Sequence, residues 1–211
     1  MARAGSEPTG AIAGGSFQVR FHGRGGQGVV TAAELLSVAA FLDGRYSQAF
    51  PSFGSERAGA PVVAFCRISD TEIRTRAPVT SPQALIVQDA TLLHQIDLFS
   101  GLVEDGYVLV NTARPAGELG LGQEHGQVRA DRIVTVAASD LARTHLGRPL
   151  PNAALLGGLS ALCGVVSLDG VVAAIEDRFS GRLGEANAAA AREAHGLVLA
   201  AKEVSAGAAT D

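Results

Sequence analysis

The sequence predicts an α/β domain: a three-layer α/β/α arrangement with a mixed, mostly parallel sheet and a helical C-terminal part. Phe17–His22 alternates apolar and polar residues as a half-buried strand does, and Val29–Leu42 then repeats apolar residues at helical spacing, which is a Rossmann-like start. Three later apolar runs have the length and composition of buried strands: Ala84–Gln88, Tyr107–Asn111 and Ile133–Ala137. Beyond Pro151 only helical patterns remain, which places the helical part at the C-terminus.

A predicted hairpin adds antiparallel pairing to this sheet. Pro61–Ser69 and Glu72–Thr75 have strand composition, and turn residues at Ser69-Asp70-Thr71 join them. We therefore expect one hairpin within a sheet that is otherwise parallel. Residues 16–203 are expected to form a single domain, between a disordered N-terminal tail of residues 1–15 and a flexible C-terminal tail of residues 204–211.

The composition argues against nucleic-acid binding and against membrane insertion. The 211 residues carry a net charge of −4, and the basic residues are scattered rather than clustered. Gly, Ser or Asn interrupts the apolar runs before they reach the roughly 20 residues that a membrane-spanning helix needs. Residues 1–15 lack the sustained apolar region of a signal peptide. We therefore expect a cytoplasmic protein.

Two cysteines limit the redox chemistry that this chain can carry. Cys66 and Cys163 lie far apart, each within an apolar stretch, and are expected to be buried free thiols. An iron–sulfur cluster normally takes four cysteine thiolates, and no Cys/His pair here has the spacing of a zinc site. No metal site is therefore predicted in this chain.

The most informative motif is the glycine-rich run Gly23-Arg24-Gly25-Gly26-Gln27-Gly28. It has the spacing G-x-G-x-x-G, directly after a predicted strand and directly before a predicted helix. Glycines allow a tight turn and the close approach of a ligand, and a helix N-terminus offers unpaired N–H groups to an anion. Arg24 would add positive charge, and Gln27 would add a hydrogen bond to phosphate oxygens.

Three interpretations of this loop remain open: a dinucleotide site, an anion site of another kind, and a close strand–helix turn without a ligand. A dinucleotide site expects an acidic residue about 20 positions on, at the end of the second strand, to hold a ribose hydroxyl. The residues there are Tyr46-Ser47-Gln48-Ala49-Phe50-Pro51, without Asp or Glu. Binding of NAD or FAD by this chain alone is therefore disfavoured.

Several segments resemble the gamma subunit of pyruvate:ferredoxin oxidoreductases and related 2-oxoacid:acceptor oxidoreductases. Phe21–Leu36, FHGRGGQGVVTAAELL, is similar to the opening of that subunit, and Gln48–Ile68, QAFPSFGSERAGAPVVAFCRI, is similar to its second signature. The form AFPSFGSER resembles the pyruvate-type branch. Val108–Thr112 and Pro151–Leu159 resemble two later signatures, so the resemblance extends over about residues 17–200 in one order.

The resemblance implies a multi-subunit enzyme that converts a 2-oxoacid and coenzyme A (CoA) into an acyl-CoA and carbon dioxide. It implies alpha-, beta- and delta-type subunits as partners, which bind thiamine diphosphate, Mg²⁺ and [4Fe–4S] clusters. Ferredoxin, or a flavin/NAD subunit, would accept the electrons. This chain lacks the G-D-G motif and distant Asn that hold the thiamine diphosphate magnesium ion, so it is not expected to catalyse alone.

The resemblance makes part of a CoA site the expected role of the glycine loop. The expected cofactor-binding residues are Gly23, Arg24, Gly25, Gly26, Gln27, Gly28 and Arg57. For Arg57, an ion pair with Glu56 or a subunit contact is an equal alternative. Asn152 is expected to cap the N-terminus of the helix that follows it. No catalytic residue is predicted.

Two other functions stay open beside the oxidoreductase subunit. The chain could be an independent Rossmann-like nucleotide-binding enzyme, which would bind its ligand without partners. It could also be a purely structural docking subunit, whose glycine loop contacts protein only.

Overall fold

A computed structural model describes residues 12, 15–52, 59–75, 77–121 and 128–208. The described residues form six strands and five α-helices: β1 Phe17–Arg24, α1 Val29–Leu42, β2 Tyr46–Pro51, β3 Pro61–Ser69, β4 Ala84–Val87, β5 Tyr107–Asn111, β6 Ile133–Val136, α2 Ala138–Leu146, α3 Asn152–Cys163, α4 Leu168–Arg178 and α5 Gly181–Ala208. They also form short 3-10 helices at Ala90–His94, Ala116–Leu119 and Ala130–Arg132. The predicted N-terminal tail lies outside the described residues except for Ile12 and Gly15, and α5 extends into the predicted C-terminal tail.

β1 lies inside the sheet, between an antiparallel and a parallel neighbour. The strand order is β2-β3-β1-β4-β5-β6. β1, β4, β5 and β6 run parallel, whereas β3 runs antiparallel to both β1 and β2. Val19 on β1 is opposite Cys66 on β3 and Ala84 on β4. The predicted α/β class with a mixed sheet is confirmed.

The predicted hairpin is wrong in its second strand. β3 pairs with β2 on one side and with β1 on the other, so neither edge of β3 is left for Glu72–Thr75. That segment forms no strand in the described structure. Arg67 on β3 holds it instead, because its guanidinium donates to the carbonyl oxygens of Thr75 at 3.4 Å and Ala77 at 2.7 Å. The antiparallel partner that precedes β3 in the chain is β2.

The two faces of the sheet are covered by different kinds of structure. Phe21 and Ile86 belong to the face that packs against α1, α3, α4 and α5, and both side chains are fully buried there. Val87 and Val110 belong to the opposite face, which packs against residues of the 3-10 helices Ala90–His94 and Ala116–Leu119 and of nearby loops. The described residues that cover this face come mainly from 3-10 turns and loops.

α3 and α5 pack closely at a glycine. A Cβ atom at Gly157 of α3 would overlap the carbonyl oxygen of Ala191 on α5. One turn further along α3, the Ser160 hydroxyl donates to the carbonyl oxygen of Gly157 at 2.7 Å and lies 2.9 Å from Nδ1 of His195 on α5. Gly157 therefore sets the distance between the two helices.

Within the described part of the chain, none of the helices combines the length and the apolar character that crossing a membrane requires.

Replacing Gly157 with Ala is expected to lower the free energy of unfolding by at least ~2 kcal/mol, because the added methyl group forces α3 and α5 apart. Gly196→Ala on α5 is the matched control. A Cβ atom at Gly196 meets no atom within 4 Å, so we expect that variant to keep or to raise the stability by roughly 0.5–1 kcal/mol. Denaturant unfolding of the purified chain, followed by circular dichroism, measures both. Equal stability of the two variants would contradict the proposed helix contact.

Candidate functional site

The glycine loop lies at a point where the chain leaves two adjacent strands in opposite directions. β1 continues through residues 25–28 into α1 on the α-helical face of the sheet. Its parallel neighbour β4 continues into the 3-10 helix Ala90–His94 on the opposite face. Such a switch between adjacent parallel strands opens a crevice at their carboxyl ends, which is where open α/β sheets bind ligands. The crevice here lies between residues 23–28 and residues 89–91.

The glycines of the loop are required by its backbone and its packing. A Cβ atom at Gly23 would lie 2.6 Å from Cγ2 of Val29 and 3.0 Å from Oε1 of Gln88. Gly26 and Gly28 have φ angles of 93° and 71°, which side-chain-bearing residues rarely adopt. Gly26 is exposed, and a Cβ atom there would meet no atom within 4 Å. The loop therefore presents bare backbone to the outside at Gly26.

Arg24 connects the glycine loop to the other side of the crevice. Its Nε donates to Oδ2 of Asp89 at 3.1 Å, and its Nη2 donates to Oγ1 of Thr91 at 2.7 Å and to Oε1 of Gln95 at 2.9 Å. Its Nη1 donates to the carbonyl oxygen of Gly59 at 3.2 Å. The guanidinium that the sequence offers to an anion is therefore paired within the chain.

Asp89 is the acceptor on which the contacts in the crevice converge. Its Oδ2 also accepts from Nε2 of Gln27 at 2.9 Å, and its Oδ1 accepts from the N–H of Thr91 at 3.0 Å and from the Thr91 hydroxyl. Burial alone would raise the pKa of the Asp89 carboxyl, but hydrogen bonds from Thr91 and Gln27 and the charge of Arg24 outweigh it and lower this pKa. Asp89 is thus a carboxylate anion, with a side chain 16% exposed.

A second set of polar contacts lies on the α-helical side of the same sheet edge. Nε2 of Gln88 donates to Oδ1 of Asn152 at 2.9 Å, and Nδ2 of Asn111 donates to the carbonyl oxygen of Gln88 at 2.8 Å. The predicted capping role of Asn152 is wrong: Asn152 is the first residue of α3, with Pro151 at the N-cap position. Its carboxamide instead binds Gln88 and packs on Gly28, where a Cβ atom would overlap it.

The glycine loop is also tied to the chain that precedes β3. The N–H of Gly25 donates to the carbonyl oxygen of Ala60 at 2.9 Å, and the N–H of Gly59 donates to the carbonyl oxygen of Gly25 at 3.3 Å. These bonds continue the pairing of β1 with β3 into the loop. Arg57, the remaining predicted site residue, lies outside the described residues.

His22 is a buried imidazole at the carboxyl end of β1. It is 5% exposed, and neither ring nitrogen has a hydrogen-bond partner. Burial, with a smaller contribution from the positive charge of Arg20, lowers the pKa of His22 to about 3. The side chain is therefore neutral at neutral pH. In the sheet register, His22 is opposite Val63 on β3 and Val87 on β4.

The described residues contain no group of three or more His, Cys, Asp or Glu side chains placed to hold a metal ion. Cys66 and Cys163 are free thiols. Burial raises the pKa of the Cys66 thiol far above its ordinary value and that of Cys163 to about 12, so neither forms a thiolate readily.

An apolar groove of about 350 Å³ opens beside Asn152. Leu146, Leu150, Phe179 and Leu183 line it together with Arg148 and Asn187. Asn152 thus lines this groove and also packs on Gly28 of the glycine loop.

Comparison with known proteins identifies the family. The model of the pyruvate ferredoxin/flavodoxin oxidoreductase family matches residues 18–197. The chain is 48% identical over 181 residues to the pyruvate synthase subunit PorC of Methanothermobacter marburgensis, covering 85% of this chain and 96% of that protein. The chain belongs to the pyruvate ferredoxin/flavodoxin oxidoreductase family.

Two further members of this family extend the comparison. The common subunit gamma of the pyruvate/ketoisovalerate oxidoreductases of Pyrococcus abyssi is 47% identical over 178 residues, which cover 84% of this chain and 95% of that protein. The crystal structure of the pyruvate oxidoreductase subunit PORC from Thermotoga maritima has a TM-score of 0.74 and 36% sequence identity, and the match covers 86% of this chain and 96% of that one. The family resemblance of the sequence is confirmed.

The structure brings most of the predicted site residues of this family member together and adds others. Gly23 and Arg24 are the last two residues of β1, which is longer than the predicted strand Phe17–His22, and residues 25–28 form the loop. Asp89, Gln88 and Asn111 were not predicted to be part of the site. Each of these three polar residues ends or directly follows a buried strand, and the carboxyl ends of adjacent parallel strands meet at one sheet edge. That position is the sequence signal by which they could have been found.

The buried His22 predicts a specific loss of stability in acid. The unfolded chain binds a proton on this imidazole below pH ~6.5, whereas the folded chain binds it only near pH 3. The free energy of unfolding should therefore fall as the pH decreases through this window, by up to about 1.4 kcal/mol per pH unit from this group. His22→Leu should lack that part of the slope in urea unfolding at pH 4–7. At pH 8 the imidazole is neutral in both states, so the difference measured there isolates packing. An unchanged slope in the variant would contradict the assignment.

Proposed function

We propose that the chain is a non-autonomous gamma-type subunit of a thiamine diphosphate-dependent 2-oxoacid:acceptor oxidoreductase complex. The complex converts a 2-oxoacid and CoA into an acyl-CoA and carbon dioxide, and passes two electrons to iron–sulfur clusters in partner subunits. The observation that carries this proposal is the end-to-end similarity to subunits named PorC and gamma, at 46–48% identity. The AFPSFGSER segment favours pyruvate as the 2-oxoacid.

The partners in this proposal supply the reactive cofactors. Thiamine diphosphate with Mg²⁺ and the [4Fe–4S] clusters belong to alpha-, beta- and delta-type subunits, and ferredoxin or a flavin/NAD subunit accepts the electrons. The polar side chains of the crevice in this chain are hydrogen-bonded to one another, and its two thiols have strongly raised pKa values. Such an arrangement suits a part that positions a cofactor rather than one that reacts with it.

The contribution of this chain to chemistry would be part of the CoA site. The N-cap residue of α1, Gly28, has no side chain to cap the helix, and the first turn of α1 carries no acidic residue. Its N-terminal N–H groups can therefore bind an anion. The bare backbone at Gly26 lies in the same loop. Asn152, which packs on Gly28, also lines the apolar groove, together with Arg148. An anionic ligand with an apolar arm fits that combination.

An independent Rossmann-like nucleotide-binding enzyme is the weaker candidate. In a dinucleotide-binding sheet the second strand lies directly beside the first, and its acidic end reaches the ribose. Here β3 lies between β1 and β2, which puts β2 roughly 10 Å from β1. An acidic residue at the end of β2 would therefore be too far from β1 to bind the ribose of a dinucleotide at the glycine loop. A purely structural docking subunit remains the other candidate, and substitution in the glycine loop distinguishes it.

Co-expression with the neighbouring reading frames tests assembly. A tagged chain is expected to co-purify with a thiamine diphosphate-binding subunit and with a subunit that carries iron–sulfur clusters, in a complex with CoA-dependent 2-oxoacid oxidation. Size-exclusion chromatography and cofactor analysis measure this. Elution of the chain as a lone monomer, while the partner chains are soluble and assembled, would rule the proposal out.

Gly26→Asn tests the CoA role of the loop. Asn tolerates a left-handed backbone, so the loop keeps its shape while a side chain blocks the ligand face. In the purified complex we expect the KM for CoA to rise at least ~10-fold, since an interaction worth about 1.4 kcal/mol is lost, with assembly intact. Gly44→Asn is the matched control, because Gly44 also has a positive φ, of 79°, and open space around it. It lies at the opposite end of α1 and should leave the KM unchanged.

The outcomes of this substitution separate the candidates. Loss of assembly with Gly26→Asn and not with Gly44→Asn would favour the docking subunit. An unchanged complex with an unchanged KM would leave the loop as a close strand–helix turn.

A further inference from the structure

The crevice at the carboxyl ends of β1 and β4 contains an ion pair where a ligand anion would lie. The Arg24–Asp89 network comprises Arg24, Gln27, Asp89, Thr91 and Gln95, and it spans the crevice from the glycine loop to the 3-10 helix. Open α/β sheets bind phosphate-bearing ligands at this place, between the glycine-rich loop and the next strand. In this chain the carboxylate of Asp89 occupies that place.

The donors around Asp89 are of the kinds that proteins use to bind phosphate. They are the guanidinium of Arg24, the carboxamide of Gln27, and the backbone N–H and hydroxyl of Thr91. The Thr91 N–H belongs to the first turn of the 3-10 helix, which Asp89 caps. The Asp89 carboxylate therefore makes, within the chain, contacts of the kind that an incoming phosphate group would make.

Each of the three guanidinium nitrogens of Arg24 already donates a hydrogen bond within the chain while this network is formed. The acceptors belong to Asp89, Gly59, Thr91 and Gln95, and the Arg24 side chain is 25% exposed. A ligand phosphate can take the bonds from Nε of Arg24 and Nε2 of Gln27 only if the Asp89 carboxylate gives them up. The two anions therefore compete for the same donors.

We propose that Asp89 is an internal anion that closes the glycine-loop crevice, and that a phosphate or pyrophosphate group binds Arg24 and Gln27 by displacing it. For CoA as the ligand, this inference rests on the proposed function. The internal carboxylate lowers the apparent affinity for the ligand by the fraction of molecules in which the crevice is open. It also balances the charge of Arg24 when no ligand is bound.

Inorganic pyrophosphate is the probe, because its binding to the purified full-length chain does not depend on catalysis or on partner subunits. Asp89→Asn keeps the shape of the side chain and the capping of the 3-10 helix, and removes the charge that competes. Isothermal titration calorimetry at low salt should show pyrophosphate binding that is at least ~10-fold tighter in this variant than in the wild type. The gain should disappear in the double variant Arg24→Gln/Asp89→Asn.

Asp131→Asn is the matched control. It removes one negative charge from another Arg–Asp pair, Arg129–Asp131, which is exposed and lies outside the crevice. Both single variants change the net charge of −4 by the same amount, so tighter binding in Asp89→Asn alone excludes a general charge effect. Asp89→Ser, which also caps the 3-10 helix, replaces Asp89→Asn if that variant does not fold.

Equal pyrophosphate affinity in the wild type and Asp89→Asn, or a gain that persists in the double variant, overturns the inference. The KM for CoA in the assembled complex separates it from the proposed function. Tighter pyrophosphate binding together with a lower KM for CoA in Asp89→Asn supports both. If pyrophosphate binds more tightly to Asp89→Asn but neither Asp89→Asn nor Arg24→Gln changes the KM for CoA, the internal anion is supported. CoA is then excluded as the ligand that displaces it.

Discussion

The junction between β1 and α1 is the constraint on which the rest of the site depends. No Cβ atom fits at Gly23 beside Val29, and the chain passes through a left-handed glycine at position 28 before the helix begins. The helix therefore starts within four residues of the strand end and packs on one face of the sheet. Because β4 then continues to the opposite face, the glycine loop borders a crevice rather than a second helix of its own layer.

The glycine motif typical of dinucleotide-binding proteins occurs here in a sheet that lacks their strand order. The G-x-G-x-x-G spacing depends on local backbone geometry, which any tight strand–helix turn of this shape needs. The acid that would hold a ribose depends on which strand lies beside β1, and here that neighbour is the antiparallel β3. The crevice is filled by Arg24 and Asp89 of the chain itself. Local sequence and strand order therefore specify different parts of a ligand site.

Local patterns were sufficient for some elements and insufficient for others. The apolar repeat of Val29–Leu42 predicted α1 to the residue, because its period is set by one helix packing on one sheet face. The strand composition of Glu72–Thr75 predicted a hairpin that the structure lacks, because β2 already occupies the edge of β3 that this strand would need. Pairing partners are decided by competition between distant segments, and a window of sequence contains only one of the competitors.

The site shows the same division between local and distant information. The glycine loop was predicted as a unit, since its residues are contiguous. Asp89 and Asn152 were missed as site residues, although each lies at a recognisable boundary. Asp89 lies just beyond the strand β4, and Asn152 follows the N-cap Pro151 and starts α3. Their partners are Arg24 at 65 residues' separation and Gln88 at 64 residues' separation, and only the strand order brings these pairs together. A polar residue at the carboxyl end of a buried strand indicates a site, but its role depends on the strand that lies beside it.

The polar side chains described in the crevice are paired with one another. Arg24 and Gln27 bind Asp89, Gln88 binds Asn152, and Asn111 binds the Gln88 backbone. Each of these side chains is held by contacts within the chain, which fixes the position of the loop. The exposed backbone at Gly26 and the uncapped start of α1 are features that can bind and orient an anion without taking part in bond cleavage. In the function that we propose, the oxidation takes place on cofactors of other subunits, and the loop of this chain contributes by binding and orienting an anion.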